Sequence, residues 1–194
     1  MLLLILLLTL QPKRRNYKVA ESFTLIMVTL TSIDYARLIQ FVATNIYHTL
    51  LNKTQINKIL FYIYGAYLAD NQKPLFTDDT PKAWTYGPVF PIPNKKVVSC
   101  EMIDNKFFSQ DKIKAFQKDQ KTLDLIVRVV GNMCNKTAYA LTQWSHIEGS
   151  PWYDTIYIKE DGVIKEQKPW NTVIEDSLIE QYFSDPQNRV FDGK

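Results

Sequence analysis

From Thr31 onward, apolar residues return every three or four positions: Tyr35, Leu38, Ile39, Val42, Ile46 and Leu50. With Thr31 or Ser32 as a cap and Asp34 in the first turn, this spacing predicts a helix. Asn52 and Lys53 read as the break. Thr54 can cap a second helix, in which Ile56, Ile59, Leu60, Ile63, Tyr67 and Leu68 form one stripe. Two helices linked this closely are expected to pack as an antiparallel hairpin. Gly65 inside the second helix costs about 1 kcal/mol relative to Ala. The compensation it predicts is close approach of another segment to the helix backbone.

The texture changes at residues 70–94, where Pro74, Pro81, Pro88, Pro91 and Pro93 fall together with Gly87. Proline blocks regular helix and central strand, so an ordered loop is expected. The same stretch carries Leu75, Phe76, Trp84, Tyr86, Val89, Phe90 and Ile92, which predicts a loop laid over the helical core rather than a solvated linker. Further on, Ser109 can cap a helix containing Ile113 and Phe116. Leu123, Ile126, Val127 and Val130 make another stripe, ending near Gly131. Thr137 can cap a short helix, AYALTQWSH, broken by Gly149-Ser150-Pro151. Thr155–Ile158 and Val163–Glu166 flank Asp161-Gly162, a hairpin signal. Asp176 can cap a last helix, SLIEQYF, and the chain after Asp185 reads as disordered. The fold expected is mainly α: a single compact helical domain over residues 27–185, with an ordered Pro-rich loop, a small β-hairpin and a flexible tail at 186–194.

The chain has 194 residues, 46% of them hydrophobic and 22% charged, the balance of a globular domain. Two cysteines, Cys100 and Cys134, with no CxxC pair exclude a disulfide scaffold and a thiolate zinc knuckle. Both are expected to be reduced, buried small residues in a cytoplasmic protein. With His48 and His146 as the only histidines, there is no HExxH motif; a phosphate-binding glycine loop is absent too. The net charge is +3, and residues 1–26 carry all of it; the remainder balances, with +5 over residues 27–146 and −5 over 147–194. That balance argues against a nucleic-acid binder. The lysines from Lys95 to Lys121 are interrupted by acidic residues and read as a solvated face.

Met1–Leu10 is almost purely aliphatic, followed by Pro12 and Lys13-Arg14-Arg15. A secretory signal has the reverse charge order, and ten residues are too few for a membrane-spanning helix. The expectation is a start codon placed upstream of the true one, with Met27 opening the domain. If residues 1–10 are real, an interfacial anchor is the alternative.

Several motifs together resemble one known family. Residues 54–76, TQINKILFYIYGAYLADNQKPLF, are followed by Ala83-Trp84-Thr85-Tyr86-Gly87-Pro88-Val89. Leu141-Thr142-Gln143-Trp144-Ser145-His146 then precedes Pro151-Trp152, and Ile179-Glu180-Gln181-Tyr182-Phe183 closes the series. In this order, over roughly residues 33–183, they resemble the Panacea domain family, which includes SocA-like antitoxins and GepA-like phage-associated proteins. Gln55-Ile56-Asn57-Lys58-Ile59 and Pro91-Ile92-Pro93 depart from common family forms. The resemblance implies an antitoxin of a type II-like system, encoded near its protein toxin in phages and other mobile elements. It would neutralise the toxin by direct binding. One branch implies instead an adaptor that delivers the toxin to an ATP-dependent protease. It implies no enzymatic activity and no cofactor.

The candidate partner-binding or motif residues are Lys58, Tyr62, Trp84, Tyr86, Gly87, Pro88, Val89, His146, Pro151 and Trp152. Trp84 and Tyr86 on a Gly-Pro turn suit a recognition loop. The favoured reading is instead a plug on the helical core, with the Tyr86 hydroxyl at a helix end. His146 has the chemistry of a general base or metal ligand, but the sequence offers no nucleophile or second ligand, which favours a structural imidazole at a helix end. Asp78-Asp79 and Glu175-Asp176 read as turn and cap acids rather than a catalytic pair. A DNA-binding autorepressor and an enzyme centred on His146 complete the alternatives.

Overall fold

The computed structural model describes residues 28–193. The extension at 1–26 and the question of the start codon therefore lie outside the described residues. Helix α1 (Ser32–Asn45) starts in a capping box, in which Thr31 donates to the Asp34 carboxylate through both its backbone N–H (3.0 Å) and its hydroxyl (2.7 Å). Asp78 reinforces this end by accepting from the Ser32 N–H and hydroxyl, each at 2.8 Å. α1 stops short of the predicted stripe: Ile46 is its C-cap and Leu50 is exposed.

Helix α2 (Lys53–Asn71) is capped by Asn52, not Thr54, again through a capping box, here with Gln55. Every residue from Ile56 to Leu68 is buried, so the predicted one-sided stripe is in fact a helix covered on all sides. α1 packs on it, as do α5 (Gln120–Met133), α6 (Ala138–Ser145) and α8 (Asp176–Ser184). Gly65 answers the close-approach expectation, because a Cβ there would overlap the Phe183 ring of α8.

The Pro-rich stretch is more regular than its composition suggests. β1 (Lys82–Trp84) and β2 (Gly87–Val89) form a tight antiparallel hairpin, and β5 (Thr172–Val173) pairs with β1 on the other side, giving the order β2-β1-β5. Pro88 is tolerated because β2 is an edge strand. Pro91 is the first residue of a short helix, α3 (Pro91–Lys96), where its missing N–H costs nothing. Phe76 and Phe90 from this segment pack with Tyr64 of α2 at ring centroid distances of 5.1–5.3 Å, so the stretch does cover the helical core.

Ser109 and Thr137 cap α4 (Gln110–Lys118) and α6 as their spacing predicts. Gly131 lies inside α5 rather than at its end, and there it gives room to Tyr47. Ser150 and Pro151 do not only break a helix; they start α7 (Pro151–Ile156). The second hairpin, β3 (Tyr157–Glu160) and β4 (Val163–Gln167), turns at Asp161 and Gly162, both with positive φ, as an Asp-Gly turn requires. Thr155 and Ile156 belong to α7, which shifts the first strand from its predicted start. Glu175, not Asp176, occupies the N-cap position of α8, without a side-chain capping bond, and the Asp176 carboxylate accepts instead from the Tyr64 hydroxyl at 2.8 Å. The segment after Asp185 differs from the free tail expected: Pro186–Asn188 make a 3-10 turn and Phe191 packs against the body.

Candidate partner-binding site

The β1–β2 hairpin is held from four directions. From below, the Lys58 amine of α2 donates to the Pro88 carbonyl (3.1 Å), and Asn57 Oδ1 accepts from the Phe90 N–H (3.0 Å). From α6, the Thr142 hydroxyl reaches the Tyr86 carbonyl at 3.5 Å. From α7, the Trp152 indole N–H donates to the Trp84 carbonyl (2.8 Å). Ahead of β5, Asn171 Oδ1 accepts from the Trp84 indole N–H (3.0 Å). Gly87 is needed at the crossing point: its φ is +100°, and a Cβ would meet Ser145 Oγ at 2.5 Å and Lys58 Nζ at 2.8 Å.

Lys58 is 1% exposed. Burial pushes its amine down from 10.5 to about 7, since the charged form loses its water. His146 sits beside it as the C-cap of α6, its ring stacked on Trp152 at 3.7 Å and 15°. Burial, and then the Lys58 charge, lower His146 from 6.5 to about 4. The imidazole is therefore neutral at physiological pH, and stacking, not attraction of an imidazolium to the helix dipole, holds it in place. No group of three or more His, Cys, Asp or Glu side chains is arranged for a metal among the described residues.

Several aromatic side chains on the elements of this assembly are open to solvent. Tyr86, at the hairpin tip, is 72% exposed, so it does not plug the core; buried Pro88, Val89 and Phe90 do. Trp84 is half-buried. Tyr139, one turn before Thr142 on α6, is 73% exposed, and Trp170 is 42% exposed while lying parallel to Trp152 at 6.0 Å and 19°. The sequence-predicted residues Lys58, Trp84, Tyr86, Gly87, Pro88, His146 and Trp152 thus converge, with Val89 and Pro151 buried in support. Tyr62 does not join them; it faces Phe183 and Phe191 elsewhere on α2. Trp170, Asn171, Asn57, Ser145 and Tyr139 are the members that motif reading missed. An exposed tryptophan in the polar run Lys168-Pro169-Trp170-Asn171 was the available signal for the first two.

The paired acids have structural uses: Asp78 caps α1, and Asp79 accepts from the Ile92 N–H (2.7 Å) at the start of α3. Of the cysteines, Cys134 is buried but Cys100 is exposed, against the expectation for both.

Residues 56–153, half of the chain, match the family model described as "Antitoxin SocA-like, Panacea domain". The chain belongs to this family. The Panacea match contains Lys58, the whole hairpin, His146, Pro151 and Trp152, but ends before Trp170, Asn171 and α8. Among curated proteins, Antitoxin SocA of Caulobacter vibrioides (strain NA1000 / CB15N) is 27% identical over 114 residues, 53% of this chain and 58% of that protein. This Panacea chain therefore spans less than two thirds of that relative's length. No solved structure matches it. Among the described residues, no helix is long and apolar enough to cross a membrane.

Proposed function

We propose that this protein is the antitoxin of a toxin–antitoxin pair and neutralises a protein toxin by direct binding, in the cytoplasm. The observation that carries the reading is the contrast at the hairpin: a tip tyrosine open to solvent on a turn whose remaining contacts are fixed by α2, α6, α7 and Asn171. A rigid base loses little entropy on binding, and exposed Tyr and Trp side chains are the usual centres of binding energy. Tyr86, Tyr139 and Trp170 are the residues assigned to toxin contact. Family membership and the SocA relative support the kind of partner.

The test is growth rescue in a bacterial host expressing the neighbouring small reading frame. The wild-type chain is expected to relieve arrest and to co-purify with the toxin. Tyr86→Ala is expected to weaken the complex at least tenfold, about 1.4 kcal/mol or more, with an unchanged melting temperature. Relief of arrest with a falling toxin level that recovers when the host protease is removed would replace neutralisation by adaptor activity. A Tyr86→Ala chain that protects and binds as well as wild type would remove the hairpin from the interface.

A further inference from the structure

The end of the described chain is seated in a cleft between three helices. The Phe191 ring stands across Tyr62 of α2 (centroids 5.4 Å, 61°) and Trp144 of α6 (5.5 Å, 72°). Its N–H donates to the Tyr62 hydroxyl (2.9 Å), and its carbonyl accepts from Asn132 Nδ2 of α5 (3.0 Å). The Tyr62 hydroxyl donates onward to Asp192 Oδ1 (3.0 Å), and Arg128 Nε donates to the Asp192 carbonyl (3.2 Å). Arg189 forks onto the two oxygens of Asp70 (2.7 and 3.2 Å). Its Nε also lies 2.7 Å from Asp192 Oδ2, an ion pair too bent for a hydrogen bond. Val190 between them is 61% exposed.

This is the contact pattern of a recognised peptide rather than of a chain end lying on an apolar surface. Side chains of the body read both backbone groups of Phe191, and the side chains of Arg189, Phe191 and Asp192 engage the cleft while Val190 faces water. Tyr62 is fully buried, yet both hydrogen-bond partners of its hydroxyl belong to the tail. The indole Nε1 of Trp144, whose ring stands beside Phe191, is buried and donates to nothing among the described residues.

We propose that this cleft is a docking site for a basic-x-aromatic-acidic segment of a partner protein, with Arg189-Val190-Phe191-Asp192 as its tethered competitor. Asp70 reads the cation, the Tyr62–Trp144 slot reads the ring, and the Tyr62 hydroxyl with Arg128 reads the acidic residue. A short tether gives the tail a local concentration on the order of millimolar, so a free segment must carry better contacts or act in concert with a second interface. The cleft shares α6 with the hairpin surface but none of its exposed residues, so the proposal stands apart from the toxin reading.

The probe is a fluorescent peptide of residues 187–194, titrated by anisotropy into the full chain. Phe191→Ala in the protein is expected to open the cleft and give saturable binding at least tenfold tighter than to the native chain. Asp70→Lys in the opened protein should abolish that binding, and the same peptide carrying Phe191→Ala should not compete. Asp192→Lys serves as a second opening variant. Absence of saturable binding to both opened chains overturns the proposal, as does binding indifferent to Asp70→Lys. Unfolding of both variants would make the tail a plain structural element and overturn it equally. A concentration-dependent dimer of the native chain, lost in Phe191→Ala, would assign the cleft to tail exchange between copies instead.

Discussion

Lys58 and His146 are neighbours whose charged forms are both disfavoured by burial. The Lys58 amine titrates near 7 in the folded chain against 10.5 when exposed. Between these values the unfolded chain holds more protons, so stability should rise with pH across that window. The full span corresponds to roughly 3–5 kcal/mol at 1.36 kcal/mol per unit. Lys58→Met keeps much of the volume and removes the charge. The difference between wild type and this variant in urea unfolding at pH 7.5, 8.5 and 9.5 should shrink steadily in favour of wild type. A constant difference would show that the amine is solvated in the folded chain. His146 works in the acid range with the same sign. Its folded value of about 4 lies below the unfolded 6.5, so stability is retained above 6.5 and lost as pH falls toward 4. His146→Phe keeps a ring against Trp152 but cannot titrate. It should lose less stability than wild type between pH 6.5 and 5, by about 1–2 kcal/mol after allowance for partial exposure.

Among the elements, the contact of α2 with α8 depends on a missing side chain. Gly65→Ala would raise helix propensity by about 1 kcal/mol, but its Cβ would overlap the Phe183 ring. The steric term should win, giving a net loss of about 1–3 kcal/mol in denaturant unfolding. A stabilised variant would mean that α8 can shift away without cost. Gly65 is also a case in which the structural reason was legible in the sequence, since a glycine inside a strong helical pattern asks for a close neighbour. The caps of α4 and α6 and the Asp161-Gly162 turn were legible for the same kind of reason: each rests on chemistry within four residues. The β1–β2 hairpin was not. Five prolines within 20 residues read as an irregular loop, and only tertiary placement, Pro88 on an edge strand and Pro91 at a helix start, makes them compatible with regular elements. The candidate site divides similarly. Its motif residues stood out as aromatic and Gly-Pro chemistry, whereas Asn171, which holds Trp84 from 87 positions away, carries no local mark of that contact.

At the scale of the whole molecule, the packing of the core extends beyond the matched family segment. Residues 56–153 leave out α1, β5 and α8. Those three elements cover α2 and complete the sheet: α1 and α8 both pack on the central helix, and β5 closes the free side of β1. Without them, Phe61, Tyr62 and Tyr64 would lose the aromatic and acidic partners that α8 and the chain end supply. Exposing several buried aromatics costs on the order of 2–3 kcal/mol each, against a total stability of only about 5–15 kcal/mol for a domain. Residues 56–153 expressed alone should therefore lack a cooperative thermal transition and show little protected amide hydrogen. Residues 28–193 should unfold in one transition, with the slowest exchange in α2 between Ile56 and Leu68. Protection that instead survives in the short fragment would locate the stable core within α2, α5 and α6 and make α8 a peripheral addition. That outcome would also separate the hairpin site, which needs β5 and Asn171 for its full set of contacts, from the minimal fold that carries it.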